Sequence, residues 1–345
     1  MKASVRERRR VRVLGIETSC DETAVAVLED GYSVRSNLIA SQVDLHERFG
    51  GVVPEVAARA HLEALNPLMD EALERAGCRF EDLDGVAVTV GPGLVGALLV
   101  GMAAAKAVAF ASGAALIGVN HLEGHIYANF LEHGSPEPPY VCLVVSGGHT
   151  MLVYMAAQHR YEVLGQTVDD AAGEAFDKIA RFIGLGFPGG PALDALARDG
   201  DPQAIGFPRS MATSGDYAFS LSGLKTAVLR YVRGEHEAGR EVDPADLAAS
   251  FQEAIVDVQV AKTMAAAQER GVGTVLLGGG VVANSRLRER MLAAGEGAGV
   301  RVLFPSLELC TDNAAMIACA GSSRLERGER TSFEVGADPG LELAS

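Results

Sequence analysis

The sequence predicts an α/β chain built as two similar lobes, and three observations carry that expectation. Each half opens on a strand, a polar turn and a second strand. In the first half these are Arg12 to Ile16, the ETSCDET turn, and Ala24 to Leu28. In the second they are Val141 to Val145, Ser146-Gly147-Gly148-His149-Thr150, and Met151 to Met155. Each half later sets a glycine turn between a strand and a helix, Gly91-Pro92-Gly93 and Gly278-Gly279-Gly280. The stretch Ser135-Pro136-Glu137-Pro138-Pro139 separates the halves as a linker. Identity between the halves is too weak to establish a duplication. The order of elements still suggests two α/β lobes with an interlobe cleft, each lobe donating one hairpin turn.

The remaining elements follow from spacing. Tyr32 to Val43 supplies a third strand. Apolar residues recur at helical spacing from Glu55 to Ala76 (Val56, Leu62, Leu65, Leu68, Met69, Leu73), and Gly77 ends the run. Gly85 to Val90 reads as a buried strand and Ala115 to Val119 as another. Between them, Leu94 to Ser112 is rich in Ala, Gly and Val with Lys106 inside, which predicts a buried helix rather than a membrane span. In the second half, Tyr161 to Gly165, Thr274 to Leu277 and Arg301 to Phe304 read as strands. Helices are expected at Asp170 to Ile183, Leu221 to Val232, Pro244 to Arg270, from about Ser285, and at Asp312 to Arg327. Phe187-Pro188-Gly189-Gly190-Pro191 reads as a rigid loop able to close over a ligand.

Composition bounds the function. The chain has 345 residues, of which 48% are hydrophobic, enough for two cores. Its formal net charge of -15 offers no general positive field to nucleic acid. Positive charge is local: Arg6, Arg8, Arg9, Arg10 and Arg12 at the start, and Arg286, Arg288 and Arg290 later. The first run is read as a solvated tail. Five scattered cysteines with no C-x-x-C pair leave a zinc ribbon or thioredoxin-type site unsupported and suit a reducing cytosol. No signal peptide is expected, because the basic start leads into a short strand.

The stretch with most chemistry is His121-Leu122-Glu123-Gly124-His125. Histidines at i and i+4 share a helix face and are able to grip one metal ion, though two satisfied helix histidines look the same in sequence. A zinc protease places its glutamate directly after the first histidine. Here the acid is Glu123, about 200° round the helix from His121, so it should point away from a shared metal. Asp312, in Thr311-Asp312-Asn313, is either the cap of the last helix or a third ligand completing a two-histidine, one-carboxylate set for iron or zinc.

Turns rich in Ser, Thr and Gly present amides and hydroxyls to phosphate oxygens. Thr18, Ser19 and Thr23 offer this in the first half, with Asp21 or Glu22 able to meet a divalent cation. Ser146 to Thr150 offers it in the second. Gly278-Gly279-Gly280 allows close approach of a flat or charged ligand, with Asn284 following, or simply packs strand on helix. Asp170, Glu174 and Asp177 fall at helical spacing and read by default as a solvated face. An ATP-hydrolysing chaperone, a kinase and a metalloprotease all remain open on these residues alone.

From about Val13 to Gly328 the chain resembles the bacterial tRNA N6-adenosine threonylcarbamoyltransferase family, once described as a glycoprotein endopeptidase. The matching motifs, in order, are GIETSCDET, GGVVPE, GPGLVGALLVG, HLEGH, VSGGHT, DDAAGEAFDK, FPGGP, SLSGLKT, GGGVVAN and CTDN. The resemblance implies the two-lobed actin/Hsp70/sugar-kinase fold. Segments 11–134 with 310–328 would form the lobe carrying a metal, 138–309 the lobe binding an adenylate, and 1–10 an arginine-rich extension. It implies one iron ion, with zinc as the alternative, on His121, His125 and Asp312. It also implies a nucleotide-type ligand, with Mg2+ able to accompany it, on Val145, Ser146, Gly147, Gly148, His149, Asp177, Gly190, Asp194 and Asn284. The implied reaction passes a threonylcarbamoyl group from threonylcarbamoyl-AMP to N6 of adenosine 37 in tRNAs reading codons that begin with A. The implied partners are tRNA, a smaller paralogue of the same fold and a P-loop ATPase. No general base is evident; His149 is a candidate by chemistry only.

Overall fold

The computed structural model describes residues 10–343. The arginine-rich extension falls outside them except for Arg10, whose guanidinium pairs with Glu29 at 3.0 Å. In chain order the elements are β1 Arg12–Glu17, β2 Glu22–Glu29, β3 Ser33–Ser41, α1 Val43–Glu47, α2 Pro54–Ala76, β4 Gly85–Gly91, α3 Val95–Ser112, β5 Ala115–Asn120 and α4 His121–His133. Then come β6 Tyr140–Val145, β7 Thr150–Ala157, β8 Arg160–Gln166, α5 Ala172–Phe182, α6 Gly189–Ala197, α7 Ser222–Glu237 and α8 Pro244–Glu269. The chain continues with β9 Thr274–Gly278, α9 Ser285–Ala298, β10 Arg301–Leu303, α10 Leu307–Cys310 and α11 Ala314–Glu326.

The chain divides into two compact units. One comprises residues 10–42, 54–131 and 313–342; the other takes 43–53, 132–312 and 343. The sheet of the first has strand order β3-β2-β1-β4-β5, with β1 antiparallel to β2 and parallel to β4. The sheet of the second has order β10-β9-β6-β7-β8, with β6 antiparallel to β7 and parallel to β9. Renumbered within its own unit, each sheet is 3-2-1-4-5 with the same strand directions. The two halves therefore share a topology that their side chains scarcely record.

Burial explains why the central strands read as unbroken apolar runs. Every residue of β4 and β6 is buried, as is β1 from Val13 onward, because helices cover both faces. The edge strand β3 instead lies largely exposed. In the first unit Leu14, Ile16, Val25, Val27, Val86 and Val88 meet Leu65, Met69 and Met102 of the helices. In the second, Val141, Leu143 and Val145 meet Phe176, Leu193, Phe251 and Ile255.

Two helices differ from expectation. α3 is the helix among the described residues that is long and apolar enough to cross a membrane, yet only a third of it is buried. Its buried stripe is Ala97, Leu98, Gly101, Met102, Ala105 and Ala109. Val95, Leu99 and Phe110 are exposed, so it is a surface helix and not the buried one its composition suggests. α6 starts at Gly189, inside the stretch read as a loop, and its first residues are held by Asp177, whose Oδ1 accepts the Gly189 amide at 2.8 Å. The segment after Gly328, which carries no periodic signal, straps the first unit. The Thr331 amide donates to the Leu116 carbonyl at 2.8 Å, Asp338 to Val90 at 2.8 Å, and Lys106 Nζ to Val335 at 2.6 Å.

Candidate metal centre and ligand turns

Strands β1, β4 and β5 run parallel, so their carboxyl ends share one edge of the sheet. Ligand sites in such sheets gather at that edge. α4 begins directly where β5 stops, placing His121 there with no intervening loop. Asn120 prepares the junction: its Oδ1 accepts the Leu122 amide at 2.8 Å while its Nδ2 donates to the Leu341 carbonyl of the strap at 3.3 Å.

Close packing through two glycines brings α11 to the same edge. A Cβ at Gly15 would lie 2.3 Å from the Ala314 carbonyl oxygen, so β1 and the start of α11 touch backbone to side-chain-free backbone. A Cβ at Gly124 would lie 2.7 Å from Ile317 Cδ1, so the glycine of HLEGH lets α4 rest on α11. Asn313, and neither Thr311 nor Asp312, caps α11: its Oδ1 accepts the Met316 amide at 3.0 Å. Asp312 is therefore not the cap of α11. Its carboxylate and the imidazoles of His121 and His125 offer ligand atoms that all lie within 4.8 Å of one another. Both histidines are buried, and their ring centroids are 4.7 Å apart. Two imidazoles and a carboxylate form a donor set suited to iron or zinc with positions left open.

Glu123 is turned away, as its helix position requires. It is fully buried and its Oε2 accepts from Arg324 Nη2 at 2.7 Å and Nε at 3.0 Å. Cys310, two residues before Asp312, keeps its proton: burial pushes the thiol up, against the lowering pull of Arg288. Its Sγ accepts from Arg288 Nη2 at 3.1 Å.

The hydroxyls of the ETSCDET turn are committed inside the first unit rather than displayed to phosphate. Thr18 Oγ1 donates to the Ala97 carbonyl at 2.9 Å, and Thr23 Oγ1 lies 2.7 Å from Nδ1 of buried His61. The second turn is more open. Ser146 closes it by donating its amide to the His149 carbonyl at 2.8 Å and accepting the His149 amide on Oγ at 3.2 Å. Gly147 and Gly148 stay exposed. Val145 meets Gly279, where a Cβ would lie 2.2 Å from the Val145 oxygen; the φ of +99° there also demands glycine. Asp194 is buried and accepts from the Ser285 amide at 3.1 Å, next to Asn284, which caps α9 through Leu287. Gly190 follows the Asp177–Gly189 contact. Of the nine residues expected to hold the nucleotide, Val145 to His149 form the end of β6 and its turn, Asn284 directly precedes α9, and Gly190 and Asp194 lie in α6 and Asp177 in the middle of α5, all in the second unit. A cavity of about 270 Å3 lined by Arg198, Gln252, Glu253, Ser285, Arg286 and Glu289 contains none of the nine, and it reaches only Asp194 and Asn284, through Ser285 and Gln252. Asp170 lies before α5, not on its face, and together with Glu174 holds Lys178 Nζ, at 2.8 and 2.7 Å.

Sequence reasoning missed Asp169 and Glu17. Asp169 gathers SLSGLKT, accepting from Ser220 Oγ and Ser222 Oγ at 2.6 Å each and from the Leu221 amide at 2.8 Å. Burial raises its carboxyl, but these donors outweigh it and hold the group below the usual carboxylate range. Glu17 reads in sequence as the first residue of the polar turn ETSCDET, whereas in the structure it is the buried last residue of β1.

Two units of one shared topology, with a two-histidine, one-carboxylate cluster at a sheet edge, define a two-lobed actin-like protein with a candidate metal centre. Solved structures agree on the fold. HypF from T. kodakarensis superposes with a TM-score of 0.65 at 17% identity, over 93% of this chain and 48% of that one. Component A of the (R)-2-hydroxyglutaryl-CoA dehydratase of Acidaminococcus fermentans gives 0.55 at 16%, over 92% and 99%. The family model for tRNA N6-adenosine threonylcarbamoyltransferase matches residues 33–319. Proteins of that name from Symbiobacterium thermophilum and Clostridium botulinum are 58% and 52% identical, over 96% of this chain and 96% and 98% of theirs. The chain belongs to the tRNA N6-adenosine threonylcarbamoyltransferase family, and it is a transferase.

Proposed function

We propose that this protein transfers the threonylcarbamoyl group of threonylcarbamoyl-AMP to N6 of adenosine 37 in tRNAs that read codons beginning with A. The observation that carries the reading is the full-length likeness to threonylcarbamoyltransferases at 52–58% identity. In this reading residues 11–134 with 310–328 carry the metal, and 138–309 hold the adenylate. His121, His125 and Asp312 would hold one iron or zinc ion. Bound there, the ion supplies Lewis-acid stabilisation of negative charge.

The chain's own residues do the rest. The SGGH turn offers exposed glycine amides to phosphate oxygens, with Val145, Asp177, Gly190, Asp194 and Asn284 around the nucleoside. The N6 amine attacks the carbamoyl carbon, a C–N bond forms, and the C–O bond to phosphate breaks as AMP leaves with the electron pair. His149, on the open turn, is the proposed acceptor of the amine proton. An aromatic amine is a weak nucleophile, so orientation supplies much of the rate. The target base must leave its stack to reach such a site.

A chain at -15 gains little from phosphate contacts, so tRNA binding calls for helpers. A smaller paralogue of the same fold suits the exposed apolar residues Leu62, Val95 and Leu99 on α2 and α3, and a P-loop ATPase completes the set in the cytosol. The metalloprotease reading is disfavoured by Glu123, which is spent on Arg324.

The test is single-turnover transfer from labelled threonylcarbamoyl-AMP to unmodified tRNA, with partners present, for wild type and His121→Ala. Transfer by the wild type, lost together with metal in the variant, is expected. No transfer by the wild type, where a relative succeeds under the same conditions, would refute the reading.

A further inference from the structure

Glu17 ends β1 at the edge where His121 stands, and its side chain is fully buried. Strand register brings it near: Ile16 pairs with Val88, which sets Glu17 beside Thr89, and Thr89 pairs with Val119, two residues before His121. Two donors and a histidine ring nitrogen reach the carboxylate. The Ser19 amide donates to Oε1 at 2.5 Å, Thr89 Oγ1 to Oε2 at 2.5 Å, and His121 Nδ1 lies 3.1 Å from Oε2. Ser19 Oγ lies 3.2 Å from the same ring nitrogen.

A carboxylate deep in an apolar sheet is costly unless its charge is matched by donors. An ionised carboxylate only accepts, so the facing ring nitrogen must carry the proton. A neutral imidazole has one N–H. With the proton on Nδ1, the lone pair is on Nε2. We propose that Glu17 is a positioning residue that fixes His121 in its Nδ1–H tautomer and leaves Nε2 as the metal-donor atom. This rests on the reading of His121, His125 and Asp312 as a metal centre. Metal-bound histidines commonly donate their other N–H to a carboxylate, which orients the ring and raises its basicity.

Glu17→Gln shows why the charge is needed. One amide oxygen cannot serve both sides of the group. If it accepts from the Ser19 amide, the amide nitrogen faces His121 Nδ1 and draws the proton to Nε2. If it accepts from His121, the amide nitrogen opposes the Ser19 N–H. Glu17→Asp keeps the charge but withdraws it by one methylene.

The experiment uses 15N-histidine-labelled, metal-stripped full chain at a pH where the ring is neutral. Long-range proton–nitrogen correlations report the tautomer of each ring, and His121→Ala assigns the signals. Zinc affinity is measured in parallel by competition with a chromogenic chelator. We expect Nδ1–H at His121 in the wild type and a shift toward Nε2–H in Glu17→Gln. Zinc affinity should fall by roughly 10–100-fold in Glu17→Gln, with partial recovery in Glu17→Asp. A merely structural Glu17 would lower the melting temperature and leave tautomer and affinity unmoved. An Nε2–H ring in the wild type overturns the proposal, and that arm needs no variant to fold. So does Glu17→Gln binding zinc within about twofold of wild type, since the expected loss is at least tenfold. A wild type that holds Nδ1–H but binds no metal would instead remove the metal reading, and with it the tautomer's purpose.

Discussion

Replacing Glu123 separates a structural acid from a chemical one at the helix that carries both histidines. Glu123 is fully buried, and both donors from Arg324 land on a single oxygen, Oε2, at 2.7 and 3.0 Å. Removing one partner of a buried pair usually costs ~3–5 kcal/mol. Arg324 keeps a second partner, Glu329 at 3.1 Å, and its side chain is 26% exposed. The loss in Glu123→Ala therefore belongs at the low end, about 3 kcal/mol. In Glu123→Gln the amide oxygen takes the place of Oε2 and still accepts both bonds. Only the charge assistance is lost, about 1 kcal/mol. At roughly 2–4 °C per kcal/mol, the alanine variant should melt about 6–12 °C below wild type and the glutamine variant about 2–4 °C below. Thermal melts by circular dichroism, paired with zinc titration and single-turnover transfer on the folded protein, check this. Both variants should keep transfer within about threefold of wild type, since no transition-state contact is removed. A glutamine variant as stable as wild type but about 100-fold slower would refute the argument and make Glu123 part of the chemistry.

Asp312→Asn keeps the shape of the third ligand but removes its charge; zinc affinity should fall by at least about tenfold while the melting temperature of the metal-free chain stays put. Gly124→Ala drives a methyl group to within 2.7 Å of Ile317 Cδ1 and should cost ~1–3 kcal/mol, read by urea denaturation, with weakened metal binding as α4 lifts from α11. Leu99→Glu, on the exposed face of α3, should abolish association with the proposed paralogue by size-exclusion chromatography and leave the melting temperature unchanged. Asp169 titrates below the usual carboxylate range in the folded chain, so its contribution is present above the ordinary Asp value near ~3.9. That contribution is lost as pH falls toward the lower folded value. Asp169→Asn should therefore be less stable than wild type at neutral pH, and the gap should close on acidification, followed by acid melts.

How much of this was legible in the sequence depended on whether a feature was local. Strands read well because β4 and β6 are buried on both faces and so are apolar at every position. The i, i+4 pair of His121 and His125 is likewise a property of one helix, and so is the turn of Glu123 away from both rings. The partner of Glu123 was not legible: Arg324 is 201 residues away, and nothing in its own helix marks it. α3 misled because composition reports how apolar a helix is and not whether a second surface covers it. The start of α6 at Gly189 was hidden because Phe187 to Pro191 has the composition of a loop, while the bond from Asp177 that fixes it is tertiary.

Glu17 is the sharpest instance. In sequence it belongs to a polar turn, where a carboxylate is ordinary; the structure instead ends β1 on it and buries it, with Thr89, 72 residues on, and His121, 104 residues on, beside it. A residue buried against the usual rule is expected where function requires it. Such a charge stays buried only if the fold offsets its desolvation, and here the Ser19 amide, Thr89 Oγ1 and the candidate metal ligand His121 do so. A misfit at a strand end thus becomes legible once strand order is known. The order 3-2-1-4-5 places the ends of β1, β4 and β5 side by side, and the misfit points along that edge to the histidine it serves.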